Sequence, residues 1–323
     1  MSVLKKLFGV VEAPPELNAS MLASEEGIGA IRKAIPKHWD AAFTFLNEQK
    51  ARGPRMENVD LLRACCFLEK RQRAAAVEAL KEELRWFPEN KEAVRLLEQN
   101  AIEPKEELPN DAEFRELHAA IRPATMLSVA RLYSLFTQAK RLCADDLPGN
   151  FVECGVAAGG SSAMLAAVIA RHSKRSRKLF SCDTFEGMPE PDARDTHRGV
   201  GAHETGWGAG TCSAPMQSLL NVSRQLRAEH IVEPVQGLFA DTLPKNAARF
   251  GDIALLHMDG DWYSSTRDIL TNLFDQVVPG GAIQIDDYGF WEGCRRAVTE
   301  FEQERGLRFQ LHTIDETGVW MVK

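Results

Sequence analysis

Leu255-Leu256-His257-Met258-Asp259-Gly260-Asp261-Trp262-Tyr263 is an apolar run of strand length that ends in two acids. A second run, Gly280-Gly281-Ala282-Ile283-Gln284-Ile285-Asp286-Asp287-Tyr288, ends the same way. Ligands of an open α/β sheet bind beyond the carboxyl ends of its strands, so two such ends mark both a fold and a site. Four carboxylates on one edge repel each other unless a cation sits among them, and a hard, oxygen-seeking ion such as Mg²⁺ suits the donors. One Asp at a strand end is often only a helix N-cap, but two acidic pairs favour the ion.

Outward from this pair, strand-like and helix-like stretches alternate, which predicts a parallel sheet with right-handed crossovers. Strands are expected near 150–156, 179–183, 231–236, 253–258 and 281–286, and helices near 161–172, 215–228, 264–276 and 292–305. Residues 308–315 and 319–323, around Glu316-Thr317-Gly318, read as a hairpin on the sheet edge. Upstream, 114–121 and 126–142 have helical spacing, and Pro148-Gly149 stops the second. The charged stretch 102–109, with Pro104 and Pro109, reads as a linker.

Before the linker, residues 35–100 read as a small all-α region, and 1–35, with Pro14-Pro15, as an irregular leader. An Ala-rich helix ending in Trp86-Phe87, then Pro88 and Asn90, then a new helix, resembles part of a tetratricopeptide repeat over 58–100. A solenoid needs about three repeats to bury a continuous core, so a short bundle is expected. Two roles stay open for it: a cap or homodimerisation arm, or a docking platform for a protein partner. The division expected is 1–105 for the helical region and 112–323 for the catalytic domain.

A net charge of −7 argues against a nucleic-acid surface. The seven cysteines form no C-x-x-C pair and read as reduced thiols. No apolar run reaches membrane-spanning length, so a cytoplasmic protein with no membrane partner is expected.

The first strand turns through Glu153-Cys154-Gly155-Val156-Ala157-Ala158-Gly159-Gly160-Ser161. The glycines allow close backbone approach before a helix amino end, but the spacing is not the G-x-G-x-x-G that a pyrophosphate requires. Glu153 puts an anion where an ammonium can sit, and Asp183, ending the second strand, suits ribose hydroxyls. The two acids point to S-adenosylmethionine, an adenosyl group carrying an amino acid. A tight turn and a helix cap are the plainer readings of the same residues.

These motifs, with Asp183-Thr184-Phe185-Glu186-Gly187-Met188-Pro189, Asp259-Gly260-Asp261-Trp262-Tyr263-Ser264-Ser265-Thr266 and Pro279-Gly280-Gly281 before Asp286-Asp287-Tyr288, resemble the macrocin O-methyltransferase family. The resemblance covers about 112–323 and leaves out the amino-terminal helices. It implies a class I methyltransferase-like, Rossmann-like sheet and methylation of natural-product sugar hydroxyls with S-adenosylmethionine and Mg²⁺. Carried over residue by residue, it makes Asp259, Asp286 and Asp287 the metal ligands and Asp261 the general base. The cofactor set it implies is Glu153, Gly155, Val156, Gly159, Ser161, Asp183, Thr184, Gly237, Phe239 and Asp259, with Gly237 and Phe239 against the adenine. Trp262 stands where related catechol-type enzymes carry a lysine base, which disfavours their mechanism. His257 reads as a core or supporting histidine ahead of a base.

The insert 190–214 is long for a crossover and reads as a glycine-hinged lid, with Trp207 able to stack on a sugar. Asp241 reads as the cap of a helix beginning near Leu243. Tyr288, Phe290 and Trp291 either line the acceptor pocket or belong to the core. The function expected is methyl transfer to a hydroxyl of a sugar-containing metabolite or glycan. A metal-dependent phosphoesterase, and a protein-binding helical module with a vestigial catalytic domain, are the alternatives.

Overall fold

The computed structural model describes residues 16–52, 56–100 and 107–323. Pro14-Pro15 and most of the expected linker lie outside the described residues. The chain divides into two units, Met1–Pro104 with His203–Gly206, and Lys105–Ala202 with Trp207–Lys323.

The first unit is helical: α1 (Glu25–Ala34), α2 (Trp39–Arg52), α3 (Val59–Glu69), α4 (Arg73–Trp86) and α5 (Lys91–Asn100). Helix α1 lies inside the stretch expected to be irregular. Ser24 Oγ accepts from Gly27 N at 3.1 Å to start it, and Gly27 and Gly29 blur the apolar spacing that would have announced it. Ile31, Leu46, Leu62 and Leu80 are fully buried in its core, each worth about 1.5–3 kcal/mol of transfer from water. Glu83, also buried, accepts from Asn58 N and Leu61 N and so ties α4 to the start of α3.

In the second unit come α6 (Ala112–Ile121), α7 (Val129–Ala144), β1 (Asn150–Cys154), α8 (Gly160–His172) and β2 (Leu179–Asp183). The insert holds a two-residue pair, β3 (Thr196–His197) and β4 (Val200–Gly201), and a single turn, α9 (Ala202–Thr205). After it run α10 (Met216–Gln225), β5 (Val232–Gln236), α11 (Phe239–Phe250), β6 (Ile253–Met258), α12 (Tyr263–Leu273), β7 (Val277–Ile285), α13 (Glu292–Arg305), β8 (His312–Thr313) and β9 (Val319–Val322). Helix α11 begins earlier than the sequence suggested, so Asp241 sits in its first turn and Leu238 is the cap residue. An apolar cap and Pro244, within the early part of the helix, hid that start.

The sheet order is β5-β2-β1-β6-β7-β9-β8, with every pair parallel except β7–β9 and β9–β8. The chain moves outward from β1 through β2 to β5, then returns to the other side of β1 with β6. That reversal is the switch point at which open sheets bind ligands. Strand alternation splits the core: Phe151 and Leu255 pack with α7 and α8, while Val152 and Leu256 pack with α11, α12 and α13. Register also lines up Ser181, Glu153, His257 and Gln284 across four adjacent strands, all buried. Among the described residues no helix is long and apolar enough to cross a membrane.

Candidate active site

The carboxyl ends of β1, β6 and β7 meet at the switch point. Gly155 turns there with φ +96°, and a Cβ on it would lie 1.9 Å from Asp259 O, so only glycine lets β1 and β6 close up. Gly159 (φ +92°) likewise lies against Leu219, where a Cβ would come 2.5 Å from its Cα. Val156 and Ser161 in this turn are buried.

Asp183 braces the turn from β2. Its Oδ2 accepts from Val156 N at 2.7 Å and Ala157 N at 3.0 Å, and its Oδ1 accepts from Phe185 N at 2.7 Å. Thr184 Oγ1 donates to Gly187 O at 2.6 Å, and Gly237 N donates to Asp183 O at 2.9 Å, so the β2 and β5 exits are joined. The Phe239 ring borders Gly260 just past β6.

Glu153 is engaged inside the fold. Expected beside an ammonium, it is 0% exposed, and its carboxylate accepts from Ser162 Oγ and pairs with His257 Nδ1 at 2.8 Å. With no free surface it is an internal brace. Nothing local reveals this, because its partner arrives through the β1–β6 register.

His257 continues the row. Its Nε2 lies 3.1 Å from Asp286 Oδ1, which also accepts from Gln284 Nε2 at 2.9 Å, while Arg131 Nη1 reaches Asp286 Oδ2 at 3.2 Å. Burial opposes a charge on His257, but Asp286 and Glu153 outweigh it and raise the imidazole well above its ordinary value. Burial would raise Asp286, yet His257 and Arg131 prevail and hold it below the usual carboxylate range. Asp286 is therefore charged and triply held.

The other three acids are not neutralised in this way. Oxygens of Asp259, Asp261 and Asp287 lie within 4.8 Å of one another, and a second such group joins His257, Asp259 and Asp286. Asp259 belongs to both. Burial, then repulsion from Asp287 and Asp286, raises Asp259 well above its ordinary value, and burial with Asp287 does the same to Asp261. Asp287 is pushed up to about 6 by burial and by Asp286. Carboxylates crowded at this cost, all offering hard oxygen donors, fit a divalent cation.

Asp261 has φ +55°; its N–H donates to Asp287 Oδ2 at 3.1 Å, and Trp291 Nε1 donates to its Oδ1 at 3.0 Å. Trp262 and Trp291 are core residues set edge to face, whereas Tyr288 and Phe290 are only half-buried. The insert is fastened here: Trp262 Nε1 donates to Pro189 O at 2.8 Å, and buried Asp195 accepts from Tyr263 N at 2.7 Å and Asp192 N at 2.8 Å. His197 stacks on Phe290, with ring centroids 4.1 Å apart. Arg131 and Asp195 were not singled out as functional by their sequence context; only the folded chain brings them to this edge, while Trp291, of the two readings left open for it, is a core residue that reaches Asp261.

Residues 58–323 match the family model described as macrocin-O-methyltransferase, a span reaching further toward the amino terminus than the motifs that suggested it. The chain is 38% identical over 200 residues to the 8-demethyl-8-(2,3-dimethoxy-alpha-L-rhamnosyl)-tetracenomycin-C 4'-O-methyltransferase of Streptomyces olivaceus, covering 61% of this chain and 74% of that one. It is 31% identical over 200 residues to the mycinamicin III 3''-O-methyltransferase of Micromonospora griseorubida, covering 61% and 77%. Among solved structures, the O-methyltransferase NovP superposes with a TM-score of 0.56 at 30% identity, over 62% of this chain and 82% of that one.

Proposed function

The chain belongs to the macrocin-O-methyltransferase family and is an O-methyltransferase, and from that premise we propose that it methylates a hydroxyl of a sugar-containing natural product or glycan, using S-adenosylmethionine and Mg²⁺. The observation that carries the metal part is Asp259, shared by two close groups of donors at the switch point. A rhamnosyl-bearing acceptor is named for the relative from Streptomyces olivaceus, which supports the acceptor class.

In this reading Asp259, Asp286 and Asp287 hold the cation, and Gly155, Val156, Gly159, Ser161, Asp183, Thr184, Gly237 and Phe239 form the cofactor's surroundings. When bound, S-adenosylmethionine supplies an electrophilic methyl group and Mg²⁺ supplies Lewis acidity toward a hydroxyl. The chain's own work is to orient the acceptor and take its proton. Asp261 is the base: Trp291 occupies Oδ1 and leaves Oδ2 for the proton, and the raised pKa suits an acceptor of protons. The insert, fastened at Pro189 and Asp195, keeps water from the edge. The setting proposed is the cytoplasm.

Calorimetry with S-adenosylmethionine and a transfer assay of Asp259→Ala test the proposal together. Cofactor binding by both proteins, with transfer lost only in the variant, is expected. Failure of the wild type to bind S-adenosylmethionine would contradict the cofactor proposed, and full activity of the variant would remove Asp259 from the site.

A further inference from the structure

Arg131 lies in the first turn of α7, far in sequence from the acids, yet its side chain is one-fifth exposed and reaches into them. Nη1 donates to Asp286 Oδ2 at 3.2 Å, and Nε donates to Asp315 Oδ2 at 3.1 Å. Asp315 is fixed in turn. Its Oδ2 accepts from Ser128 Oγ at 2.6 Å, and its Oδ1 accepts from Gly318 N at 2.8 Å and Thr317 N at 3.0 Å. The Arg131 stem passes over Gly318, where a Cβ would come within 2.9 Å of Cγ and Cδ. Gln284 Nε2 donates to Arg131 O at 3.3 Å, so the backbone of the same residue is also tied to β7. Five side chains far apart in sequence thus give one row of alternating acid and base in space: Glu153, His257, Asp286, Arg131, Asp315.

A guanidinium bridges two carboxylates on separate elements through different nitrogens of one rigid plane, whereas an ammonium is a single point charge. We propose that Arg131 is a positioning residue of the cation site, holding Asp286 at a fixed angle between β7 and the β8–β9 turn. The inference rests on the metal reading above. Groups that hydrogen-bond a ligating carboxylate orient it, and their loss costs about 10–100-fold in metal affinity or activity. Charge alone predicts the opposite, since removing a neighbouring cation strengthens the attraction of the acids for Mg²⁺.

The test titrates MgCl₂ into the full chain in the presence of S-adenosylhomocysteine, by calorimetry, for wild type, Arg131→Lys and Arg131→Met. Thermal melts check the fold. Positioning predicts that both variants bind Mg²⁺ about tenfold or more weakly, that S-adenosylhomocysteine affinity changes little, and that kcat falls with acceptor KM nearly unchanged. Arg131→Lys keeps the charge and carries the test should Arg131→Met not fold. Lys binding Mg²⁺ like wild type, or Met binding it more tightly, overturns the proposal. A wild type that binds S-adenosylhomocysteine but no Mg²⁺ overturns the metal reading, and Arg131 with it.

Discussion

The Trp291 indole nitrogen stands 3.0 Å from Asp261 Oδ1, so the proposed base is held by a residue from the start of the helix after β7, itself edge-on to Trp262. Trp291→Phe keeps an aromatic ring beside Trp262 and removes the donor together with part of a buried ring. A hydrogen bond to a charged group contributes about 1.5–3 kcal/mol, so kcat should fall by about tenfold or more, with cofactor KM unchanged. Steady-state kinetics check this; an unaltered kcat removes Trp291 from the positioning of Asp261.

The acids also set a pH dependence for the metal-free protein. Asp259, Asp261 and Asp287 have raised values, the last to about 6, through burial and mutual repulsion. A group raised in the folded state stabilises fully below its unfolded value, and that contribution is lost as pH rises through the folded one. Asp286 works oppositely, since the stability contributed by its depressed pKa is lost only toward acid. With His257 also raised and losing its contribution only at higher pH, the cluster's contribution to Tm declines from about pH 4 upward through about 6, and Mg²⁺ should offset the decline as the acids ionise. Melts across pH with and without MgCl₂ decide it; a Tm indifferent to Mg²⁺ at pH 7 and above counts against the cation.

Asp195 joins the insert to the start of α12 through the Tyr263 and Asp192 amides. Asp195→Ala leaves these donors unpaired, at about 1–3 kcal/mol each where they are buried. The insert should loosen, raising the acceptor KM more than the cofactor KM. Limited proteolysis should cut within 190–214 sooner than in the wild type; identical cleavage means that other contacts hold the insert.

Glu153→Gln separates an internal brace from a cofactor contact. A carboxylate buried against His257 and Ser162 is part of an internal ion pair, and breaking such a pair costs about 3–5 kcal/mol. Denaturant unfolding should show that loss, while S-adenosylhomocysteine affinity changes little in the folded fraction. A large loss of affinity with unchanged stability would return Glu153 to the cofactor.

The β6 and β7 runs were legible because strand period, glycine turns and paired acids coincide at their ends, and the family motifs follow the same local spacing. The start of α11 was hidden by Leu238 as cap and by Pro244 within the helix, and α1 by its two glycines. What the sequence could not disclose is lateral. Glu153 faces His257 only because β6 returns beside β1, and Arg131 reaches Asp286 across 155 residues. Those partners divide the four acids of the edge, leaving Asp286 neutralised and the other three crowded.

The central claim is metal-dependent methylation of a sugar hydroxyl. It is tested most directly by incubating the protein with labelled S-adenosylmethionine and a glycosylated natural product or its aglycone, in EDTA and after MgCl₂ is restored. The account predicts label on the sugar of the glycosylated acceptor alone, and only with Mg²⁺. Equal transfer in EDTA, or label on the aglycone, would contradict it.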